Sequence, residues 1–168
     1  MNARERRWVI IRQHRNLMNV SHRPTESAVV NGQNFNPPSK RDIVEFFAIA
    51  DVKTTVEAIQ ALTVEKLNQY CSDIDKVLSV DSESSAKVYC IWGTFTVERQ
   101  IIKGGIRFTL PNCPNALAWT ITTGFDPEPD KVVIHCTINR IEHDTDFIDS
   151  IVSFIDSCKL GLESHLSD

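Results

Sequence analysis

Hydrophobic residues recur along this chain with two different periods, and the change falls near residue 79. Before it, apolar positions three and four apart predict helices. Ser39 stands as an N-cap with Asp42 three residues on, ahead of "RDIVEFFAIA" (41–50), in which Ile43, Phe46, Phe47 and Ala50 share one helical face. Val56, Ile59 and Leu62 mark a second helix over 54–61. Thr63 caps a third, "VEKLNQYCSDIDKVL" (64–78), with Leu67, Tyr70, Cys71, Ile74 and Leu78 in one stripe. "SVDSESS" (79–85) closes this helical half.

Beyond it the period drops to two, as strands require. "AKVYCIW" (86–92), "TFTVERQII" (94–102), "IRFTL" (106–110), "ALAWTITT" (116–123) and "KVVIHCTINR" (131–140) read as five strands. Gly93 marks a bulge or turn, "KGG" (103–105) a hairpin, "PNCPN" (111–115) a turn and "GFDPEPD" (124–130) a loop. From Asp144 or Thr145 a long helix follows, with Phe147, Ile151, Phe154, Ile155 and Cys158 on one side. Gly161 or the Ser167–Asp168 end stops it.

Successive strand side chains point to opposite faces. One face therefore collects Val88, Cys90, Trp92, Phe95, Val97, Ile101, Ile106, Phe108, Leu110, Leu117, Trp119 and Ile121. The other collects Thr94, Thr96, Glu98, Gln100, Arg107, Thr109, Ala118, Thr120, Thr122, His135, Thr137 and Asn139. Arg99 interrupts the oily row, as a strand end or as a buried cation in need of a partner. The expected fold class is α+β: an antiparallel meander sheet of about five strands, covered on one face by helices that include the long C-terminal one.

Upstream, "RRWVIIRQ" (6–13) is apolar in the middle and basic at both ends, and residues 19–39 have a loop composition with a short strand at "SAVV". The expected organisation is a basic N-terminal arm and loop over 1–38 and a single α+β domain over 39–168. With residues 6–13 taken as a strand, the order is strand, helices, antiparallel strands and a terminal helix. That order is similar to the helix-grip (START-like) fold. The likeness implies a last helix closing a curved sheet over a lipid-sized cavity. The helical insert between 39 and 78 is longer than that fold has, and the strand count is one short.

The length, 168 residues with 42% hydrophobic, suits one ordinary domain. The formal charge of −4 is unevenly spread. Residues 1–23 carry +5 through Arg4, Arg6, Arg7, Arg12, Arg15 and Arg23 against Glu5, and the remainder carries −9. The acidic whole argues against nucleic acid; any such binding falls to Arg4, Arg6, Arg7, Arg12 and Arg15, with Trp8 able to stack on a base. No apolar run approaches a membrane span. Five cysteines, an odd number without a CxxC pair, point to a reducing, cytoplasmic setting.

No nucleotide loop, zinc spacing or hydrolase motif is present. His135 and Cys136 are adjacent, but a regular strand turns them to opposite faces. Cys113 in "LPNCPN" reads as part of a turn, since no flanking signature marks a thiol enzyme. The acids near His143 are explained by the next helix: Asp144 or Thr145 caps it and Asp146 favours its positive end. No catalytic residue, metal or cofactor is expected.

Two functions fit. The first is a non-enzymatic interaction module that binds a protein partner or self-associates through a Thr-rich sheet face: Thr94, Thr96, Glu98, Arg107, Thr120, Thr122, His135 and Thr137. The alternative is a helix-grip-like binder of a small apolar ligand, held between the C-terminal helix and the sheet by Trp92, Phe108, Trp119 and Phe154.

Overall fold

The structure, a computed structural model, describes residues 44–126, 128–139 and 144–167. It opens with strand β1 (Val44–Ala50), helix α1 (Val56–Gln60), and a 3-10 turn (Val64–Lys66) leading into helix α2 (Leu67–Tyr70). Six strands follow: β2 (Ile74–Ser82), β3 (Ser85–Cys90), β4 (Gly93–Ile102), β5 (Gly105–Thr109), β6 (Ala118–Thr123) and β7 (Val132–Ile138). Helix α3 (Thr145–His165) ends the fold. All seven strands form one antiparallel sheet in the order β1-β7-β6-β5-β4-β3-β2. The sheet thus has seven strands rather than five, and both extra strands come from segments whose pattern predicts helix.

The first is β1. Phe46, Ala48 and Ala50 are buried while Glu45, Phe47 and Ile49 alternate with them. Two adjacent phenylalanines let the same segment satisfy either period. β7 decides the matter by pairing with it residue for residue, from Val44↔Ile138 to Ala50↔Val132. Ser39 and Asp42, the expected cap, lie outside the described residues, as do residues 6–13 and "SAVV". Among the described residues the first strand is Val44–Ala50.

The second is β2. The helix expected over 64–78 ends at Tyr70, and from Ile74 the chain is extended. Its pairing with β3 shifts register three times. Ile74, Val77 and Val80 are therefore the residues opposite the apolar Cys90, Val88 and Ala86. Bulges have stretched a spacing of two into a spacing of three, which imitates a helix. "SVDSESS" is accordingly the end of β2 and a hairpin turn.

The short helices are set by local signals. The Thr55 hydroxyl accepts from Ala58 N at 3.2 Å and caps α1. The Tyr70 hydroxyl donates to the Thr63 carbonyl, and burial pushes the phenol up to about 12. Asp144 caps α3 by accepting from Asp146 N at 3.0 Å. The helix does not stop at Gly161 but runs on to His165. Gly161 instead permits close approach: a Cβ there would lie 2.5 Å from the Tyr70 carbonyl carbon and oxygen.

Candidate functional site

Strand register sorts the outer face into rows. One row runs Phe47–His135–Thr120–Arg107–Gln100 across β1, β7, β6, β5 and β4. A second runs Glu45–Thr137–Ala118–Thr109–Glu98–Ser85. A third begins Ile49–Val133–Thr122. Thr96 pairs with Lys87, and Thr94 with Tyr89, toward the other edge. None of the eight expected face residues is buried, whereas Ala118 is, behind its larger neighbours. Arg107, Glu98 and Thr94 are exposed; Thr96, Thr120, Thr122, His135 and Thr137 are half-buried.

The face holds three residues that sequence reading misses: Glu45, Phe47 and Ile49. They are invisible while residues 41–50 are read as a helix. The clue is their strict alternation with Phe46, Ala48 and Ala50.

His135 is the most constrained polar group here. Its ring lies flat on Phe47, with centroids 4.3 Å apart and planes within 1°. Nε2 is 3.8 Å from Glu45 Oε1, too far for a hydrogen bond, and is sealed from solvent with no hydrogen-bond partner among the described residues. Burial pulls the imidazole below the usual histidine value, against a smaller upward pull from Glu45.

On the inner face, the four aromatics proposed to line a hollow pack against one another. Phe108 and Trp119 stack at 5.1 Å, Trp119 meets Phe154 edge-on at 5.2 Å, and Trp92 lies 4.9 Å from Phe154. Trp92 Nε1 also donates to Ser150 Oγ at 2.8 Å. The cavity bounded by Trp92, Trp119 and Phe154 measures about 10 Å³, roughly the space of one water. One member of the oily row departs from expectation. Ile101 pairs with Ile106, yet it is 63% exposed, because it lies near the end of β4.

All five cysteines are free. His135 and Cys136 take opposite faces: His135 pairs with Phe47 and Thr120, Cys136 with Phe46 and Trp119. Burial pushes the Cys136 thiol well up, which leaves it protonated and unreactive. Cys113 sits in a turn, its N–H donating to the Leu110 carbonyl at 3.0 Å. Among the described residues no three His, Cys, Asp or Glu side chains are grouped to hold a metal ion, and no helix is long and apolar enough to cross a membrane. His143 and the arginines at 4, 6, 7, 12 and 15 lie outside the described residues.

The sequence matches no family model, and no curated protein is similar to it. Solved structures do resemble it. The protein XoxI from Bacillus cereus superposes with a TM-score of 0.54 at 12% identity, covering 74% of this chain and 96% of its own. An uncharacterised protein from Bacillus thuringiensis gives 0.51 at 13% identity, covering 74% of this chain and 99% of its own. At such identities the likeness is one of fold alone; in this chain that fold is a seven-stranded antiparallel sheet with a C-terminal helix, in the α+β class.

Proposed function

We propose that this chain is a non-enzymatic interaction module, whose outer sheet face meets a protein partner or a second copy of the chain. The observation that carries the reading is the exposure of that face: most of the inner row is buried, while none of the eight outer residues is. The face has the make-up of an interface. Phe47, Ile49 and Val133 form an apolar strip toward β1, and Arg107, Glu98 and Gln100 form a polar border. The five free cysteines suit a reducing compartment, and the cytoplasm is the proposed location.

Light scattering against concentration tests the self-associating form. The mass should rise above 19.0 kDa with concentration in the wild type and remain that of one chain in the double variant Thr120→Lys, Thr137→Lys. A wild-type mass that never rises removes the second copy as partner. A double variant that unfolds means the chain itself covers the face.

A second reading, a binder of a small apolar ligand between α3 and the sheet, is favoured by the order of elements. Its obstacle is size: about 10 Å³ of space against the roughly 300 Å³ that such a ligand needs. Stoichiometric binding of an apolar dye to the native protein would restore it.

A further inference from the structure

The outer row contains a group arranged for more than contact. We propose that Phe47, His135 and Glu45 form an acid-sensitive clasp on edge strand β1: protonation of His135 breaks its stack on Phe47 and loosens β1 from β7. This goes beyond the proposed function and holds whatever binds the face.

The geometry has three parts. A neutral imidazole can lie flat on a phenyl ring without water, as this one does at 4.3 Å. Its Nε2 has neither solvent nor a hydrogen bond among the described residues. The carboxylate that would welcome a proton there, Glu45, stops short at 3.8 Å. In the imidazolium both ring nitrogens carry protons, so the half-buried ring then holds a donor at Nε2 with neither water nor an acceptor, which costs free energy. The ring must leave the stack for water, or Glu45 must move to it. Departure of the ring removes the contact of His135 on β7 with Phe47 on β1, which loosens the strand; a Glu45 that closed the gap instead would tie β1 to β7, the response the proposal excludes.

Among the described residues no other acidic side chain faces the ring. On β6 the residue opposite His135 is Thr120, and beyond it on β5 is Arg107, a fixed cation. The neighbours along β7 on that face are Val133 and Thr137, neither titratable. Helix α3 contributes nothing, because it packs on the face of Cys136: Trp119, the partner of Cys136, meets Phe154 of α3. Among the described residues β1 is an edge strand, held by β7 and by helix α3 beneath it. Burial outweighs the pull of Glu45, so the folded histidine titrates below its unfolded counterpart. The clasp's contribution is then complete above about pH 6.5 and is lost as the pH falls through that value and below it.

Hydrogen exchange of the β1 amides, corrected for intrinsic rates, reads the clasp directly. Between about pH 7.5 and 5.5 the protection of residues 44–50 should fall by about tenfold relative to β5 and β6. His135→Phe, which keeps a flat ring and cannot titrate, should remove that fall, while His165→Gln should retain it. Equal protection at both pH values, or a fall that survives in His135→Phe, overturns the proposal. If His135→Phe does not fold, the wild-type His135 ring resonance serves. Its midpoint should lie below about 6.5 and drop further in Glu45→Gln; a midpoint at or above that value, or one unmoved by Glu45→Gln, is equally fatal.

Discussion

Arg99 of β4 reaches across the packed face of the sheet and donates from Nε to the backbone oxygen of Leu62 at 2.7 Å, while its Nη2 donates to the oxygen of Gln60. Those carbonyls end α1 and the turn after it, where a helix leaves its oxygens without partners and carries partial negative charge. The one cation in the oily row is therefore a C-terminal cap supplied from a strand 37 residues away in sequence.

Charge-assisted bonds of this kind are worth about 1.5–3 kcal/mol each, and a buried carbonyl left unpaired costs a further part of that range. Arg99→Met should lower the unfolding free energy by about 2–4 kcal/mol, read from the midpoint of a urea transition with unchanged slope. Arg99→Lys should recover less than half, because an ammonium cannot span two carbonyls as a planar fork does.

Helix propensity alone favours Gly161→Ala by about 1 kcal/mol. The structure predicts the opposite sign. The new Cβ would sit 2.5 Å from backbone atoms of Tyr70, so α3 and α2 must separate. A loss of about 1–3 kcal/mol is expected, and a thermal midpoint that rises would show that α2 yields.

Phe154 is buried between Trp92 and Trp119. Phe154→Ala should cost about 3–5 kcal/mol and open a void where the wild type has about 10 Å³. An apolar dye should then bind the variant and not the wild type. Dye binding by both proteins would argue for a flexible, ligand-accepting interior.

Ile49 stands at the apolar end of the outer face and is 36% exposed. Ile49→Lys should leave stability within about 0.5 kcal/mol, yet abolish any concentration-dependent rise in mass. A variant that still associates would move the contact toward Arg107 and Glu98.

Four cysteines are buried and Cys113 is half-buried in its turn. A disulfide reagent should modify one thiol per native chain quickly, and Cys113→Ser should remove that reaction. Fast reaction of two or more would mean that α2 and α3, which enclose Cys71 and Cys158, open readily.

Much of this architecture is legible in residue pattern. From β3 to β7 the oily and hydroxyl-bearing faces separate cleanly, because alternation is a local property that pairing does not alter. The start of α3 at Asp144 or Thr145 is readable, and Arg99 reads either as a strand end or as a cation seeking partners; the structure selects Asp144 and the cation. β2 is not readable: its bulges space Ile74, Val77 and Val80 as a helix would. Nor is the role of Gly161, because nothing near it in sequence announces Tyr70.

By itself, then, the sequence determined the two-faced meander and the capped terminal helix, whose signals lie within a few residues of one another. Only the tertiary structure decided that Val44–Ala50 is extended, because its apolar spacing suits both periods and β7, about ninety residues on, supplies the hydrogen-bonding partner. The stack of Phe47 on His135 follows from that pairing. Register between distant strands is written in no local pattern, so the apolar end of the candidate face came into being only when β1 met β7.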